Sequence, residues 1–213
     1  MPRGLIGRKI GMTQIFDEDG NQVAVTVIEA GPCVVVQKRL PEKDGYAAIQ
    51  LGFGEVKEHK LPRPLRGHFA RAGVKPCRVL REFRVENPDA YQVGQELRAD
   101  VFKPGEYVDV IGISKGKGFS GPMKLGFSRG PMSHGSKYHR RVGSLSGSAM
   151  PGHVFKGRPL PGRLGGDRVT VRGLKVMRVD PERNLLVVKG SVPGARGSIV
   201  LVRETTVPHK RSS

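Results

Sequence analysis

The N-terminal part of the chain alternates apolar and polar residues over short runs. In residues 22–30, Val23 and Val25 alternate with smaller or polar residues, as expected for a half-buried strand. The acidic turn sequence Asp-Glu-Asp-Gly-Asn at residues 17–21 separates this run from another apolar run at residues 12–16. Two such runs around an Asp-Gly turn predict a β-hairpin.

Similar runs recur along the chain, and turn-forming residues separate them. The further predicted strands are residues 33–40, 46–53, 107–113, 174–179, 184–189 and 198–203. The last hairpin is marked by Asp-Pro-Glu-Arg at residues 180–183, a sequence suited to a tight turn. Many short strands joined by tight turns predict a mainly β fold, either a barrel or a sandwich.

Residues 61–86 are mixed in character. Residues 64–72 predict a short helix, and Gly73 is placed to end it as a C-cap. Residues 77–85 predict a strand that carries three basic residues on one side, namely Arg78, Arg81 and Arg84.

Residues 114–173, called here the basic segment, lack any such periodic pattern. Their apolar residues stand alone or in pairs, and the segment holds 14 of the 30 glycines and five prolines. Ordering the backbone costs roughly 1–2 kcal/mol per residue, which so little apolar surface does not offset. We therefore expect the basic segment to be disordered when it stands alone in water.

Charge is concentrated in the same segment. The chain has 37 Lys and Arg against 19 Asp and Glu, a net charge of +18, and a pI near 10.5. The basic segment contains twelve Lys and Arg but only one acidic residue, Asp167. Such a field attracts polyanions, so the sequence favours a nucleic-acid partner, with an acidic membrane surface as the main alternative.

Other features narrow the class of protein. No apolar run approaches the roughly 18 residues of a membrane span, and no signal-peptide core is apparent, so a cytoplasmic protein is expected. Cys33 and Cys77 lie far apart outside any Cys-x-x-Cys pair, which favours two buried thiols over a disulfide or a metal site. Trp is absent and aromatic residues make up 6% of the chain, which argues against base stacking as the main binding mode.

One motif invites an enzymatic interpretation. Residues 116–121, Gly-Lys-Gly-Phe-Ser-Gly, match G-x-G-x-x-G and follow a predicted strand. In a dinucleotide-binding fold the third glycine opens a helix that holds the pyrophosphate. Here Pro122 comes next, and Gly126 and Gly130 interrupt any helical pattern, so we do not predict a nucleotide site.

Metal and nucleophile chemistry also lack the necessary residues. His134, His139 and His153 lie in the basic segment, but Asp167 is its only acid, so neither zinc ligands nor an oriented histidine base is predicted. The serines of the segment suit hydrogen bonds to phosphate or to the ribose 2′-hydroxyl. We expect no cofactor and no catalytic residue.

Several long motifs, read in order, resemble one known family. They are GLIGRKIGMTQIF (Gly4–Phe16), GHFARAGVKPCRVLREFR (67–84), SKGKGFSGPMK (114–124), GPMSHGSKYHRRVGS (130–144), VFKGRPLPGRLGGDRVTV (154–171) and NLLVVKGSVPG (184–194). With these motifs the chain resembles, almost end to end, the bacterial form of ribosomal large-subunit protein three.

This resemblance implies a fold and a division of the chain. The family has a six-stranded β-barrel of the type found in translation factors, a small mixed α+β insertion and a long irregular basic extension. The implied division is residues 1–56 for the first part of the barrel, 57–100 for the insertion, 101–113 and 174–207 for the rest of the barrel, 114–173 for the extended arm, and 208–213 for a flexible tail.

The resemblance also implies a function. Members of the family are non-enzymatic constituents of the large ribosomal subunit that bind its rRNA near the 3′ end and support assembly. Their expected neighbours are large-subunit proteins fourteen and nineteen. The tip of the extension approaches the peptidyl transferase centre and shapes its surroundings, and by position this tip is residues 143–152.

The tip sequence departs from the usual family pattern. Family members place polar or basic side chains there, and some carry a methylated glutamine. In this chain the matching position is Ala149, so that methylation is not expected and fewer side-chain contacts to RNA are predicted.

The predicted site is the basic segment with its tip. The predicted rRNA-binding residues are Lys115, Lys117, Lys124, Arg129, His134, Lys137, His139, Arg140, Arg141, Ser144, Lys156, Arg158, Arg163 and Arg168. The predicted tip residues are Gly143, Ser144, Leu145, Ser146, Gly147, Ser148, Ala149, Met150, Pro151 and Gly152. Two alternatives remain, a free-standing RNA- or DNA-binding regulator and a nucleotide-dependent enzyme. The first needs stacking aromatic residues of its own, and the second needs saturable nucleotide binding.

Overall fold

The computed structural model describes residues 3–127, 140–145, 147 and 149–206. The chain divides into two compact units. We call Met1–Ile113 together with Arg168–Ser213 the globular unit, and Ser114–Asp167 the arm. The predicted tail at residues 208–213 lies outside the described residues.

Strands dominate the described part of the chain. They are β1 (Gly4–Phe16), β2 (Gln22–Ala30), β3 (Cys33–Arg39), β4 (Ala48–Glu55), β5 (Cys77–Arg84), β6 (Glu96–Leu97), β7 (Tyr107–Ile113), β8 (Phe119–Ser120), β9 (Gly162–Arg163), β10 (Arg168–Asp180), β11 (Leu185–Lys189) and β12 (Ile199–Glu204). The helices are α1 (Pro41–Asp44), α2 (Arg63–Ala72) and α3 (Pro122–Leu125), with single 3-10 turns at Glu58–Lys60, Pro88–Ala90 and Ala99–Val101. No helix within these described ranges is long and apolar enough to cross a membrane.

Six antiparallel strands close into a barrel in the order β1-β12-β7-β10-β11-β2. Alternation of side chains brings one face of each strand into the interior, where Leu5, Ile28, Val110, Leu186 and Val202 are fully buried. The predicted six-stranded β-barrel is therefore confirmed.

Both predicted hairpins are present in the barrel. Asp17 and Asn21 close the first turn, where the amide of Asp17 donates to the carbonyl of Asn21 at 2.9 Å. Gly20 adopts a positive φ of 76°, which explains why the turn contains glycine. In the second hairpin Asp180 of β10 pairs with Leu185 of β11.

A second sheet has the strand order β5-β4-β3-β6 and corrects the predicted domain division. The division implied by the resemblance placed residues 33–56 with the barrel, whereas β3 and β4 pair with β5 and β6. The chain leaves β2 through Gly31, which has a φ of 98°, and Pro32, which has no amide proton to continue a ladder. Strands of the barrel and strands of the second sheet show the same alternation of apolar and polar residues. The sequence alone therefore did not assign β3 and β4 to a separate sheet.

Helix α2 covers one face of this second sheet. Phe69 of α2 is buried against Val36 and Cys77, and the ring nitrogen Nε2 of His68 lies 2.7 Å from Oε1 of Gln50. Gly73 ends the helix in the left-handed conformation, with its amide directed at carbonyls of the last turn. The helix and its glycine cap agree with the sequence prediction.

Strand β10 begins at Arg168, five residues before the predicted end of the basic segment at Gly173. Arg168 pairs with Ile113 of β7, and Val171 pairs with Val110. The β-branched residues Val169 and Thr170 suit a strand, although basic residues flank them. Residues 168–173 therefore belong to the barrel, and the arm ends at Asp167.

Candidate nucleic-acid interface

The first and last residues of the arm run side by side as a narrow antiparallel ladder. The amide of Ser114 donates to the carbonyl of Asp167 at 2.9 Å, and that of Lys117 donates to Leu164 at 2.8 Å. The amide of Leu164 donates in turn to Gly118 at 2.9 Å. Strands β8 and β9 extend the same ladder, so an arm with few apolar residues obtains local order from backbone hydrogen bonds.

Glycine is required where the two strands of the ladder approach each other. Gly165 has a φ of 74°, and a Cβ atom there would lie 2.1 Å from the carbonyl oxygen of Lys115. At Gly166 a Cβ atom would lie 2.5 Å from Nη2 of Arg163. The two glycines thus allow close backbone contact and provide space for an arginine side chain.

All predicted basic residues within the described ranges are exposed. They are Lys115, Lys117, Lys124, Arg140, Arg141, Lys156, Arg158, Arg163 and Arg168. Within those ranges, Lys115, Lys117, Lys124, Lys156 and Arg163 make no ion pair with an acidic residue. Their charges are therefore available to an external anion.

The structure brings some of these residues together. The ladder places Lys115 and Lys117 on one strand and Arg163 on the other. The guanidinium group of Arg158 donates to the carbonyl oxygen of Ser144. Arg168 lies in the globular unit. The remaining predicted residues, Arg129, His134, Lys137 and His139, lie outside the described residues.

The predicted tip is exposed wherever it is described. Gly147 and Gly152 both have positive φ values, of 86° and 70°. Met150 is 89% exposed. The ring nitrogen Nδ1 of His153, just past the tip, lies 3.0 Å from the carbonyl oxygen of Pro151. Two predicted tip residues, Ser146 and Ser148, lie outside the described residues.

Cations of the globular unit are used differently. Arg3 contacts Glu106 at 3.1 Å and Glu204 at 3.5 Å. Burial lowers the pKa of Arg3, but its hydrogen bonds with Glu204 and Glu106 outweigh that effect and raise the pKa. Three nitrogens of this guanidinium group therefore donate to acceptors of the globular unit.

A cleft of about 790 Å³ between the barrel and the second sheet is an alternative site. Its charged walls are largely neutralised, because Arg8 contacts Glu29 at 2.6 Å and Lys75 lies 3.9 Å from Glu55. Its remaining lining includes Gly52, with the thiol-bearing Cys77 beside it. A cleft of mixed charge suits a polyanion less well than the arm does.

The G-x-G-x-x-G sequence has no dinucleotide-binding geometry. Helix α3, which follows it, has four residues and ends at Gly126 in the left-handed conformation. This single turn is shorter than the helix that a pyrophosphate site requires. Among the described residues no three His, Cys, Asp or Glu side chains gather as metal ligands would.

One residue of the arm was not singled out from the sequence. Phe119 in β8 is 80% exposed, although a phenyl ring is apolar. The signal in the sequence is an isolated aromatic residue within a run of glycines and lysines.

Comparison with known proteins identifies the family. A family model described as ribosomal protein L3 matches residues 82–183. The large ribosomal subunit protein uL3 of Carboxydothermus hydrogenoformans is 67% identical over 205 residues, which cover 96% of this chain and 98% of that protein. The uL3 protein of Pelotomaculum thermopropionicum is 63% identical, with 96% and 97% covered. The chain belongs to the ribosomal protein L3 family.

Membership of the ribosomal protein L3 family confirms the resemblance predicted from the motifs. The large ribosomal subunit protein uL3 of Heliobacterium modesticaldum is a further relative. It is 60% identical to this chain over 204 residues, which cover 95% of the chain. The family is a structural component of the ribosome and not an enzyme, so the nucleotide-dependent enzyme is no longer an alternative.

Proposed function

We propose that this protein is a structural constituent of the large ribosomal subunit in the cytoplasm and that it binds large-subunit rRNA directly through its arm. The observation that carries the proposal is the row of exposed arm cations without acidic partners, described above for Lys115, Lys117 and Arg163. Each cation that meets a phosphate releases condensed counterions, which favours binding.

The backbone of the arm supports the same proposal. Glycine at positions 165 and 166 keeps the ladder narrow, and a narrow strand pair lies between RNA helices with little steric cost. Backbone amides and small side chains then reach phosphate and ribose oxygens directly. The arm thereby neutralises phosphates where RNA helices crowd together, which supports subunit assembly.

The proposed rRNA contacts are those predicted from the sequence. They are Lys115, Lys117, Lys124, Arg129, His134, Lys137, His139, Arg140, Arg141, Ser144, Lys156, Arg158, Arg163 and Arg168. The globular unit serves as the anchor, near the 3′ end of the rRNA and beside large-subunit proteins fourteen and nineteen.

The tip at residues 143–152 is proposed to shape the surroundings of the peptidyl transferase centre without taking part in chemistry. It contains no lysine or arginine, so its contacts come from the backbone and from exposed side chains such as Met150. Ala149 has no side-chain amide, so no glutamine methylation takes place there.

The test compares two matched sets of substitutions in the full chain. One variant carries Lys115→Gln, Lys117→Gln and Lys124→Gln in the arm. The control carries Lys57→Gln, Lys60→Gln and Lys75→Gln at positions of the globular unit. Both lose three positive charges, so their net charges are equal.

Binding to a transcript of the large-subunit rRNA of Carboxydothermus hydrogenoformans is measured over a range of KCl concentrations. We expect the arm variant to lose about 0.9 of log–log slope for each phosphate contact removed. We expect the control to lose clearly less. An equal or larger loss in the control would contradict the proposal that the arm carries the electrostatic binding.

A further inference from the structure

The G-x-G-x-x-G sequence of residues 116–121 forms the β8 side of the arm ladder. Gly118 has a φ of 68° and accepts the amide of Leu164 at 2.9 Å. Directly after it, Phe119 pairs with Arg163 and Ser120 pairs with Gly162. The motif therefore holds the backbone of Phe119 in a defined position.

Successive residues of a strand face opposite sides, and here the sides differ sharply. Ser120 is buried, whereas the ring of Phe119 is 80% exposed. The polar side chain of Ser120 is thus shielded from solvent, and the large apolar ring of Phe119 is exposed to it. The apolar ring of Phe119 is therefore accessible to a binding partner.

The surroundings of the Phe119 ring are basic. Arg163 lies directly opposite on the ladder, where cross-strand side chains share a face. Its guanidinium group packs over Gly166, where a side chain would occupy the same space. Lys117 is exposed two residues before Phe119, just outside β8, and Gly118 separates the two residues.

We propose that Phe119 stacks on an unpaired base of the rRNA, while Arg163 and Lys117 contact the phosphates that flank this base. The inference rests on the function proposed above and names one stacking contact within it. Unpaired bases offer an apolar π-face, and their backbone offers phosphates close by. The mixture of one aromatic ring with two cations matches that chemistry.

An apolar pocket of a neighbouring protein fits less well. Such a pocket would cover the phenyl ring but would also remove water from Lys117 and Arg163, which then need carboxylates of the partner. RNA supplies the aromatic face and the negative charge in the same molecule. Charge complementarity therefore favours the base.

The globular unit offers a matched control for Phe119. Phe16, at the end of β1, is 70% exposed, which is close to the exposure of Phe119. Its neighbours are the acidic residues of the turn at 17–19, which repel phosphates. Exposure alone is thus nearly equal at the two positions, and the surrounding charge is opposite.

The first measurement is affinity for the same rRNA transcript at fixed KCl. We expect Phe119→Ala and Phe119→Leu each to bind roughly 5- to 150-fold more weakly, because loss of one stacked base has effects of this size. Phe119→Trp should bind at least as well as the parent chain. The salt slope should stay constant in all three, since no charge changes.

The second measurement uses the absence of tryptophan from the chain. In Phe119→Trp the only indole stands at the proposed contact, and we expect rRNA to quench its fluorescence. In Phe16→Trp the fluorescence should stay nearly unchanged by rRNA. Circular dichroism of each variant confirms that the fold is retained, as expected for exposed positions.

The outcomes separate the two proposals. Parent-level affinity in Phe119→Ala or in Phe119→Leu, or indole fluorescence that rRNA leaves unquenched in Phe119→Trp, overturns the stacking contact and leaves the electrostatic role of the arm intact. Full affinity in Phe119→Leu specifically indicates that rRNA binding does not require an aromatic ring at this position. Failure of the parent chain to bind the transcript overturns both proposals.

Discussion

In the globular unit Arg3, Arg8 and Arg203 each face a carboxylate of the same unit, whereas Lys115 and Lys117 of the arm face none among the described residues. The difference follows from where the acids are. All but one of the 19 acidic residues lie outside the arm, and Asp167 is the exception. Basic side chains therefore form ion pairs within the globular unit, whereas on the arm they are available for binding.

The charges of the globular unit therefore contribute mainly to stability, and those of the arm contribute mainly to binding. Some charges of the globular unit, such as those of Asp109 and Lys9, are buried and hydrogen-bonded, so removing one partner costs folding free energy. Charges on the arm are solvated, so removing one leaves folding nearly unchanged and reduces attraction to a polyanion. Pairs of matched substitutions, one in each unit, test the contrast directly.

The largest effect is expected at the buried carboxylate of Asp109. This side chain is 0% exposed and accepts hydrogen bonds from the amide of Gly173 at 3.1 Å and from Arg203 at 3.2 Å. Asp109→Ala leaves both donors without this acceptor, so we expect a loss of about 3 kcal/mol of unfolding free energy. Chemical denaturation of the full chain measures it.

The matched change is Asp167→Ala in the arm. Its carboxylate is exposed, so we expect a change in unfolding free energy within about 0.5 kcal/mol and slightly tighter binding to rRNA. Similar destabilisation in both variants would show that the two units do not differ as argued.

A buried lysine provides the next comparison. Lys9 is buried in the barrel, and its ammonium group donates to the carbonyls of Val192 at 2.7 Å and Gly194 at 3.2 Å. Lys9→Met keeps much of the length of the side chain but removes these hydrogen bonds, so we expect a loss of about 2 kcal/mol in denaturant unfolding.

Lys117→Met is the counterpart in the arm. Its unfolding midpoint should match that of the parent chain, while its log–log salt slope for rRNA binding should fall by about 0.9. A salt slope that falls as much in Lys9→Met as in Lys117→Met would mean that the barrel lysine also serves RNA binding.

The sequence predicted much of the globular unit because its determinants are local. Alternation marked the strands, the acidic turn before Gln22 marked a hairpin, and Gly73 marked the end of helix α2. The assignment of β3 and β4 to the barrel was wrong because strand partners are non-local, and the chain leaves the barrel at Gly31–Pro32 without a change of pattern.

In the arm, the sequence predicted composition but not geometry. Charge counting identified the exposed cations, since no acid nearby is able to pair with them. The close approach of Gly165 to Lys115 joins residues 50 positions apart, and no local rule predicts it. The exposure of Phe119 depends on which face of β8 it occupies, which the ladder decides.

A pH effect sharpens the contrast because both cysteines lie in the globular unit. Burial raises the pKa of Cys33 from 9.0 to about 12. Above pH 9 the thiol ionises in the unfolded chain but stays neutral in the folded chain, so stability is full below pH 9 and falls above it. We expect a loss of about 1.4 kcal/mol at pH 10 from this thiol.

Denaturant unfolding at pH 8 and pH 10 measures that loss, with Cys33→Ala as the control in which this contribution disappears. A second control replaces residues 114–167 by Asn-Gly, because Ile113 and Arg168 are cross-strand partners that a two-residue turn is able to join. The loss at pH 10 should persist there. If the variant without the arm shows no loss of unfolding free energy at pH 10, the loss does not originate at the Cys33 thiol.

The smallest effect on global stability is expected for Gly165→Ala, which should nonetheless alter the arm. A Cβ atom there would lie 2.1 Å from the carbonyl oxygen of Lys115, and φ is 74°, so the ladder must shift. Gly157→Ala is the control, since it has a similar φ of 82° but open space around it.

We expect faster protease cleavage within the arm and weaker rRNA binding for Gly165→Ala than for Gly157→Ala, with unchanged unfolding of the barrel in both. Because φ is matched, a difference between the two variants isolates the close contact between the strands from backbone strain. Equal protease sensitivity in the two would indicate that the ladder does not hold the arm in place.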